Sequence, residues 1–301
     1  MTPLLVVITG PTAVGKTELC VKIGQHFNTE ILSADSRQFY KELAIGTAKP
    51  TKEEMQNIEH HFVNSHPITE DYNVNDFEKD ALLLLEELFQ KHKIVILTGG
   101  SGLYIDALCE GFDEDIPGSD KNIRDELNEM YQQYGIKILQ EKLKQLDPEF
   151  YSEVDLNNAK RLQRAIEVCM LTGEKYSTIR KGNKQKRPFN VLKIGLNRER
   201  EELFNRINQR VDNMIEEGLL NEVKSVLKYK NINALKTVGY TELFDYIDNN
   251  ITLEEATEKI KVNTRRYAKR QLGWFNKSND YQWFHPDSLE EIKKYIALNI
   301  N

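Results

Sequence analysis

The sequence predicts an α/β protein: a doubly wound parallel sheet whose core is interrupted by a helical insertion. Three features predict it. An apolar run, Leu4 to Ile8, passes through a glycine loop into a stripe of helical period. Strand-like and helix-like segments then alternate as far as about residue 111, the βαβ order of a parallel sheet. From Ile123 to Thr172 helical periodicity continues with no strand between.

Leu4-Leu5-Val6-Val7-Ile8 is apolar throughout, as a parallel strand covered on both faces must be, and Gly10 ends it. After Lys16, the residues Leu19, Cys20, Ile23 and Phe27 recur at helical spacing. A second short strand, Ile31 to Ala34, ends at Asp35. Phe77, Ala81, Leu84, Leu85 and Leu88 form the next helical stripe, followed by a strand from Ile94 to Leu97 and the turn Gly99-Gly100-Ser101-Gly102. Beyond the breakers Gly182 and Pro188 a strand-like run resumes at Phe189 to Leu196, and helices fill most of the remainder. The expected organisation is a P-loop-containing core of residues 1–111 and 188–301, split by a helical insertion at 112–187.

No apolar run approaches the roughly 20 residues that span a bilayer, and the start of the chain lacks the basic segment and cleavage site of a secretory signal. A cytoplasmic protein without membrane contact is expected. Cys20, Cys109 and Cys169 are widely separated and read as buried apolar residues. The net charge of −6 argues against a nucleic-acid partner until its distribution is considered. From Asn158 to Pro188 nine basic residues (Lys160, Arg161, Arg164, Lys175, Arg180, Lys181, Lys184, Lys186, Arg187) stand against Glu167 and Glu174, a local charge of +7. Lys261 to Arg270 adds five more with no acid. Either run alone could be a solvated helix face; two on an acidic chain point to an anionic partner.

Gly10-Pro11-Thr12-Ala13-Val14-Gly15-Lys16-Thr17 matches G-x-x-x-x-G-K-[ST] and lies between a strand and a helix, as its mechanism requires. The glycines let backbone N–H groups turn onto a diphosphate, Lys16 neutralises charge, and the Thr17 hydroxyl can ligate Mg²⁺. The same cradle serves kinases, nucleotide hydrolases and any enzyme with a diphosphate leaving group, so it does not fix the reaction. Asp35 stands at the carboxyl edge of the sheet, where it can accept a proton or hold Mg²⁺; a helix N-cap is the structural alternative. The third strand ends in Thr98 and glycines, without the acid that holds Mg²⁺ in many P-loop hydrolases. His60, His61 and His66 cluster in sequence but project in different directions and have no acid or cysteine at ligand spacing, which favours ordinary packing over a metal site. Arg210 shares an inward stripe with Leu203, Ile207 and Met214, so it needs either a structural carboxylate or a bound phosphate. Lys160, Arg161 and Arg164 share one side of a helix whose other side carries Ala159, Leu162, Ile166 and Cys169.

Taken together, these segments resemble one family over nearly the whole chain. They are Gly10 to Thr17, Ser33-Ala34-Asp35-Ser36-Arg37-Gln38-Phe39-Tyr40, Ile45-Gly46-Thr47-Ala48-Lys49-Pro50, His60-His61-Phe62 and Gly99-Gly100-Ser101-Gly102-Leu103-Tyr104. Arg161 to Val168, Arg206 to Val211 through Gly218-Leu219, Val238-Gly239-Tyr240 and Arg265 to Gln271 complete the set. The chain is similar to the bacterial tRNA dimethylallyltransferases (tRNA isopentenyltransferases). That resemblance implies transfer of the dimethylallyl group of dimethylallyl diphosphate to N6 of the adenine 3′ of the anticodon, with Mg²⁺ and release of diphosphate. It implies that Asp35 is the general base, and that Thr12, Lys16, Thr17 and Arg210 hold the diphosphate. It further implies that Asp35, Ser36, Arg37, Gln38, Ser101, Arg124, Lys160, Arg161, Leu162, Gln163 and Arg164 meet the anticodon stem-loop, the target base being flipped into the crevice. The expected enzyme is a monomer of the bacterial type, without the zinc-finger extension of eukaryotic members. Three positions depart from the family: Ser101 is usually threonine, Val14 often serine, and Gly273 often threonine.

Three other readings share parts of the pattern. A small-molecule or nucleotide kinase explains the P-loop but not the basic insertion. A nucleotide-switched RNA-binding protein leaves Asp35 and Arg210 without a chemical task. An enzyme that prenylates free AMP shares the whole catalytic core.

Overall fold

A computed structural model describes residues 2–111, 116–180 and 185–300. Residue 112, where the insertion was expected to begin, and Lys181, Gly182 and Lys184 lie outside them. The chain runs β1 (Leu4–Thr9), α1 (Lys16–Phe27), β2 (Ile31–Ser33), α2 (Lys52–Met55), β3 (His60–His61), α3 (Val74–Leu88), β4 (Ile94–Gly99) and α4 (Gly102–Glu110). Next come α5 (Lys121–Tyr134), α6 (Ile136–Leu146), α7 (Pro148–Glu153), α8 (Ala159–Thr172) and α9 (Tyr176–Ile179). It returns through β5 (Asn190–Leu196), α10 (Arg200–Glu216), α11 (Leu219–Ser225), α12 (Tyr240–Ile247), α13 (Leu253–Phe275), β6 (Tyr281–Phe284) and α14 (Leu289–Leu298). Residues 1–109 with 187–301 form one compact unit and residues 110–186 another.

In the first unit the strands form one sheet of order β3-β2-β4-β1-β5-β6, every pair parallel. The apolar run of β1 has its reason here, because alternate side chains enter opposite layers. Leu4, Val6 and Ile8 pack with Leu19 and Ile23 of α1, Leu203 and Ile207 of α10 and Ile292 of α14. Leu5 and Val7 pack with Phe77 and Leu85 of α3, Leu108 of α4 and Phe275 of α13. Each such fully buried side chain contributes about 1.5–3 kcal/mol, so a polar residue between Leu4 and Ile8 would be costly; Thr9, at the strand end, donates its hydroxyl to Gly99 O at 3.1 Å. Beside the sheet, α10 to α13 enclose a further core around Leu43, Leu219, Tyr240 and Leu243.

Two strands lack a sequence signal. β3 is only two residues long, and its register on β2 (Ile31 with His60, Leu32 with His61) supplies its extended conformation. β6 lies in the stretch read as helical; it pairs with β5 at the sheet edge and has only Tyr281 buried along its length, too little for an apolar pattern. The histidines have packing partners: His61 and His92 both reach Glu30, at 2.6 and 3.2 Å, and His60 Nδ1 lies 2.8 Å from the Ile58 carbonyl.

The second unit is a helical bundle closed on Leu127, Leu139, Leu143, Phe150, Leu162 and Ile166. Asp147, fully buried, caps α7 through Phe150 N (3.0 Å) and accepts from Ser177 N (2.7 Å) and Ser177 Oγ (2.9 Å). Burial opposes its charged form, yet these bonds hold the carboxyl below its ordinary range.

Candidate active site

A parallel sheet presents its ligand site beyond the carboxyl ends of its strands. At those ends lies a crevice of about 1190 Å³, lined entirely by the first unit and reaching from Thr12 and Lys16 to Asp35, Arg210 and Tyr267. The phosphate loop forms its floor. Gly10 has φ +152°, and a Cβ there would lie 2.6 Å from the Leu196 carbonyl oxygen at the end of β5, so only glycine lets the loop leave the sheet at this point. Ala13 also takes a positive φ of 65°. Two arginines hold carbonyls of the loop: Arg206 Nε donates to Ala13 O and Arg198 Nε to Val14 O, each at 2.9 Å. Neither was singled out chemically from sequence, where Arg206 stood only as part of a family segment.

Lys16 donates to Gly10 O and Pro11 O, both at 2.9 Å. Burial, and next the charge of neighbouring Arg210, push its ammonium down to about 8, with Asp35 opposing the shift. Arg210 Nη1 reaches Thr12 Oγ1 at 3.5 Å. Burial, and next the charge of Arg206, hold the guanidinium below its ordinary value, with Glu54 opposing. Arg210 forms no ion pair among the described residues, and it lines the crevice with Val211 and Met214 while Leu203 and Ile207 turn into the core. An anionic ligand would complete this cluster of cations.

Asp35 follows β2 in a turn, with no helix for it to cap. Its Oδ1 accepts from Arg37 N at 3.0 Å. The β4 turn fixes the chain on either side: Ser101 N donates to Ala34 O (3.3 Å), and Ser36 N donates to Ser101 Oγ (3.1 Å). Burial pushes the Tyr267 phenol up to about 12, with the Asp35 carboxylate adding to the shift and Ser101 opposing it. Gln38 Oε1 accepts from Ser33 Oγ at 3.1 Å, and its Nε2 donates to Thr47 O and Ala48 O at 3.2 and 3.3 Å. One carboxylate holds that facing segment: Glu222 accepts from Ala44 N, Ile45 N and Gly46 N at 2.8–2.9 Å and from Tyr240 Oη at 2.6 Å. Nothing local in the sequence marks Glu222, which lies more than 170 positions from the amides it binds.

The remaining sequence candidates lie in the second unit. Lys160 and Arg161 are exposed and Gln163 is half-buried. Leu162 is wholly buried, so it supports the helix from within and offers no side chain to a partner. Arg124 and Arg164 are both committed to buried Glu167, at 3.0 and 2.8 Å, and Arg164 also donates to Pro117 O and Gly118 O. Arg164 therefore pins the segment before α5.

The IPP transferase family model matches residues 38–278. This chain is a member of that family. The tRNA dimethylallyltransferase 1 of Bacteroides thetaiotaomicron is 48% identical over 296 residues, covering 98% of this chain and 96% of its own. The tRNA dimethylallyltransferase of Christiangramia forsetii is 49% identical over 302 residues, covering all of both chains. Among solved structures, the tRNA isopentenylpyrophosphate transferase of Bacillus halodurans is 39% identical with a TM-score of 0.73, covering 98% and 96% of the two chains. A eukaryotic dimethylallyltransferase acting on tRNA is 26% identical with a TM-score of 0.79, covering 99% of this chain and 77% of its own. In this IPP transferase the phosphate loop, Asp35 and Arg210 share one crevice. No helix among the described residues is long and apolar enough to cross a membrane.

Proposed function

We propose that the protein is a tRNA dimethylallyltransferase that alkylates N6 of the adenine 3′ of the anticodon. The observation that carries this reading is the convergence of a diphosphate cradle, an arginine without an ion pair among the described residues and a strand-end carboxylate in one crevice. The amine nitrogen attacks the allylic carbon, a C–N bond forms, and the C–O bond breaks with its electron pair going to the diphosphate. Asp35 accepts the proton the nitrogen loses. Backbone N–H groups of the phosphate loop, Lys16 and Arg210 meet the charge that grows on the leaving group, and Thr12 orients Arg210. Ser36, Arg37, Gln38 and Ser101 border the base-bearing turn and would receive the flipped adenine and its neighbours.

Mg²⁺ fits this site. The described residues hold no group of three or more His, Cys, Asp or Glu able to take a metal, but Mg²⁺ bound with phosphates commonly needs only one or two protein oxygens. Thr17 is the residue to supply one, and the ion would neutralise charge on the diphosphate. We further propose that the enzyme acts in the cytosol, where its acceptor is, and as a monomer.

Incubation with labelled dimethylallyl diphosphate or ATP, together with bulk tRNA or AMP, tests the reading. Label from the allyl donor should appear in tRNA. Label transferred from ATP would mark a kinase, and prenylated AMP would mark the free-nucleotide enzyme.

The pH behaviour of Lys16 gives a second test. Burial favours its neutral amine and a bound diphosphate favours its ammonium, so binding should take up a proton once the pH exceeds about 8. Affinity for dimethylallyl diphosphate, whose ester diphosphate is already fully ionised in this range, should therefore fall as pH rises through that value. Calorimetry in buffers of different ionisation enthalpy reads the uptake directly; none at pH 9 would remove Lys16 as the ligand's counter-charge.

For the acceptor, the exposed pair Lys160 and Arg161 forms the informative test. Lys160→Glu with Arg161→Glu should weaken tRNA binding and lessen its salt dependence by about one unit of slope per lost phosphate contact. Affinity for dimethylallyl diphosphate should hold. Arg164→Glu answers a different question, because it sets a carboxylate against buried Glu167 and should lower the melting temperature. An unchanged tRNA affinity in the double variant would leave binding to the core and the Lys261 to Arg270 run.

A further inference from the structure

We propose that Gln271 is a positioning residue that sets the spacing between the diphosphate cradle and the turn carrying Asp35. This rests on the catalytic reading above but concerns a residue that touches neither reactant there. Gln271 lies on α13 and is only 5% exposed. Its Oε1 accepts from Thr12 N at 2.8 Å and its Nε2 donates to Gly100 O at 3.0 Å. A backbone N–H can only donate and a carbonyl can only accept, so the two partners fix the orientation of the amide. Neither glutamate nor methionine satisfies both.

The two ends of this bridge belong to opposite halves of the reaction. Thr12 lies in the phosphate loop and its hydroxyl meets Arg210. Gly100 belongs to the β4 turn, whose next residue, Ser101, bonds to Ala34 O and to Ser36 N on either side of Asp35. The close fit is visible at Gly100 itself, where a Cβ would lie 2.1 Å from Gln271 Nε2. One buried amide thus ties the cradle and the base-bearing turn to a common reference. Displacement of about 1 Å between reacting groups costs on the order of 10²-fold in rate.

In the full-length enzyme, Gln271→Met should lower kcat by about 10²-fold while KM for dimethylallyl diphosphate and for tRNA each stay within a few-fold. Gly100→Ala forces the same bridge open and should cost a similar factor. The double variant should be no worse than either single one, because both break one connection. Amide hydrogen exchange reads the bridge without turnover: the Thr12 and Ser36 amides should both lose protection in Gln271→Met. Wild-type kcat in Gln271→Met, multiplying losses in the double variant, or unchanged exchange at Thr12 would each overturn the inference. A wild-type enzyme that transferred no prenyl group would instead overturn the functional reading, and the exchange data would still decide the bridge.

Discussion

Asp35→Asn is expected to lower prenyl transfer by about 10² to 10⁴ and to leave tRNA affinity within a few-fold. The substitution is nearly isosteric. Its amide oxygen can still accept from Arg37 N, so the turn after β2 should keep its shape. What disappears is the basicity proposed to take the proton from the attacking amine. Single-turnover transfer from labelled dimethylallyl diphosphate, beside a tRNA-binding isotherm, separates chemistry from recognition. Wild-type turnover in the variant would remove Asp35 as base; intact chemistry with lost tRNA binding would make it a contact to the RNA.

Arg210→Ala should reduce kcat by about 10² to 10³ and weaken binding of dimethylallyl diphosphate. In the free enzyme this guanidinium is held near Arg206 and Lys16, cations whose charges disfavour one another. Removing it should leave the melting temperature unchanged or raise it, and should move the Lys16 ammonium above its present value of about 8. An arginine that served packing would behave in the opposite way, with normal kinetics and a lower melting temperature. The prediction thus sets ligand binding and stability in opposition, as expected where like charges are gathered for an anion.

Glu222 and Lys49 show how the segment opposite Asp35 is held. Lys49 is 9% exposed, with its ammonium on Tyr40 O (2.5 Å) and Asn64 Oδ1 (2.7 Å); burial pushes it down to about 8, with Glu222 the first of three carboxylates opposing. A buried ammonium and a carboxylate binding three amides are stable only because each meets several partners at once. They fix the carbonyls of Thr47 and Ala48 on which Gln38 rests.

By itself the sequence determined the parallel core, because β1 must be apolar from Leu4 to Ile8 to fill two layers and the phosphate loop must follow it to leave the sheet past Leu196. It also determined the cradle and the carboxylate, since Gly10 to Thr17 and Asp35 owe their places to local chain geometry at strand ends. Only the tertiary structure decided β3 and β6, whose extended shape comes from pairing with neighbours and not from their own pattern. The same holds for the bonds of Gln271 to Thr12, of Glu222 to Ala44 and of Arg198 to Val14, which join positions about 180 to 260 apart. It holds equally for Arg164, which reads as a free basic residue along the helix. Its i,i+3 spacing to Glu167 is local to α8, but only the fold buries that carboxylate and brings the Pro117 carbonyl, 47 positions away, onto the same guanidinium.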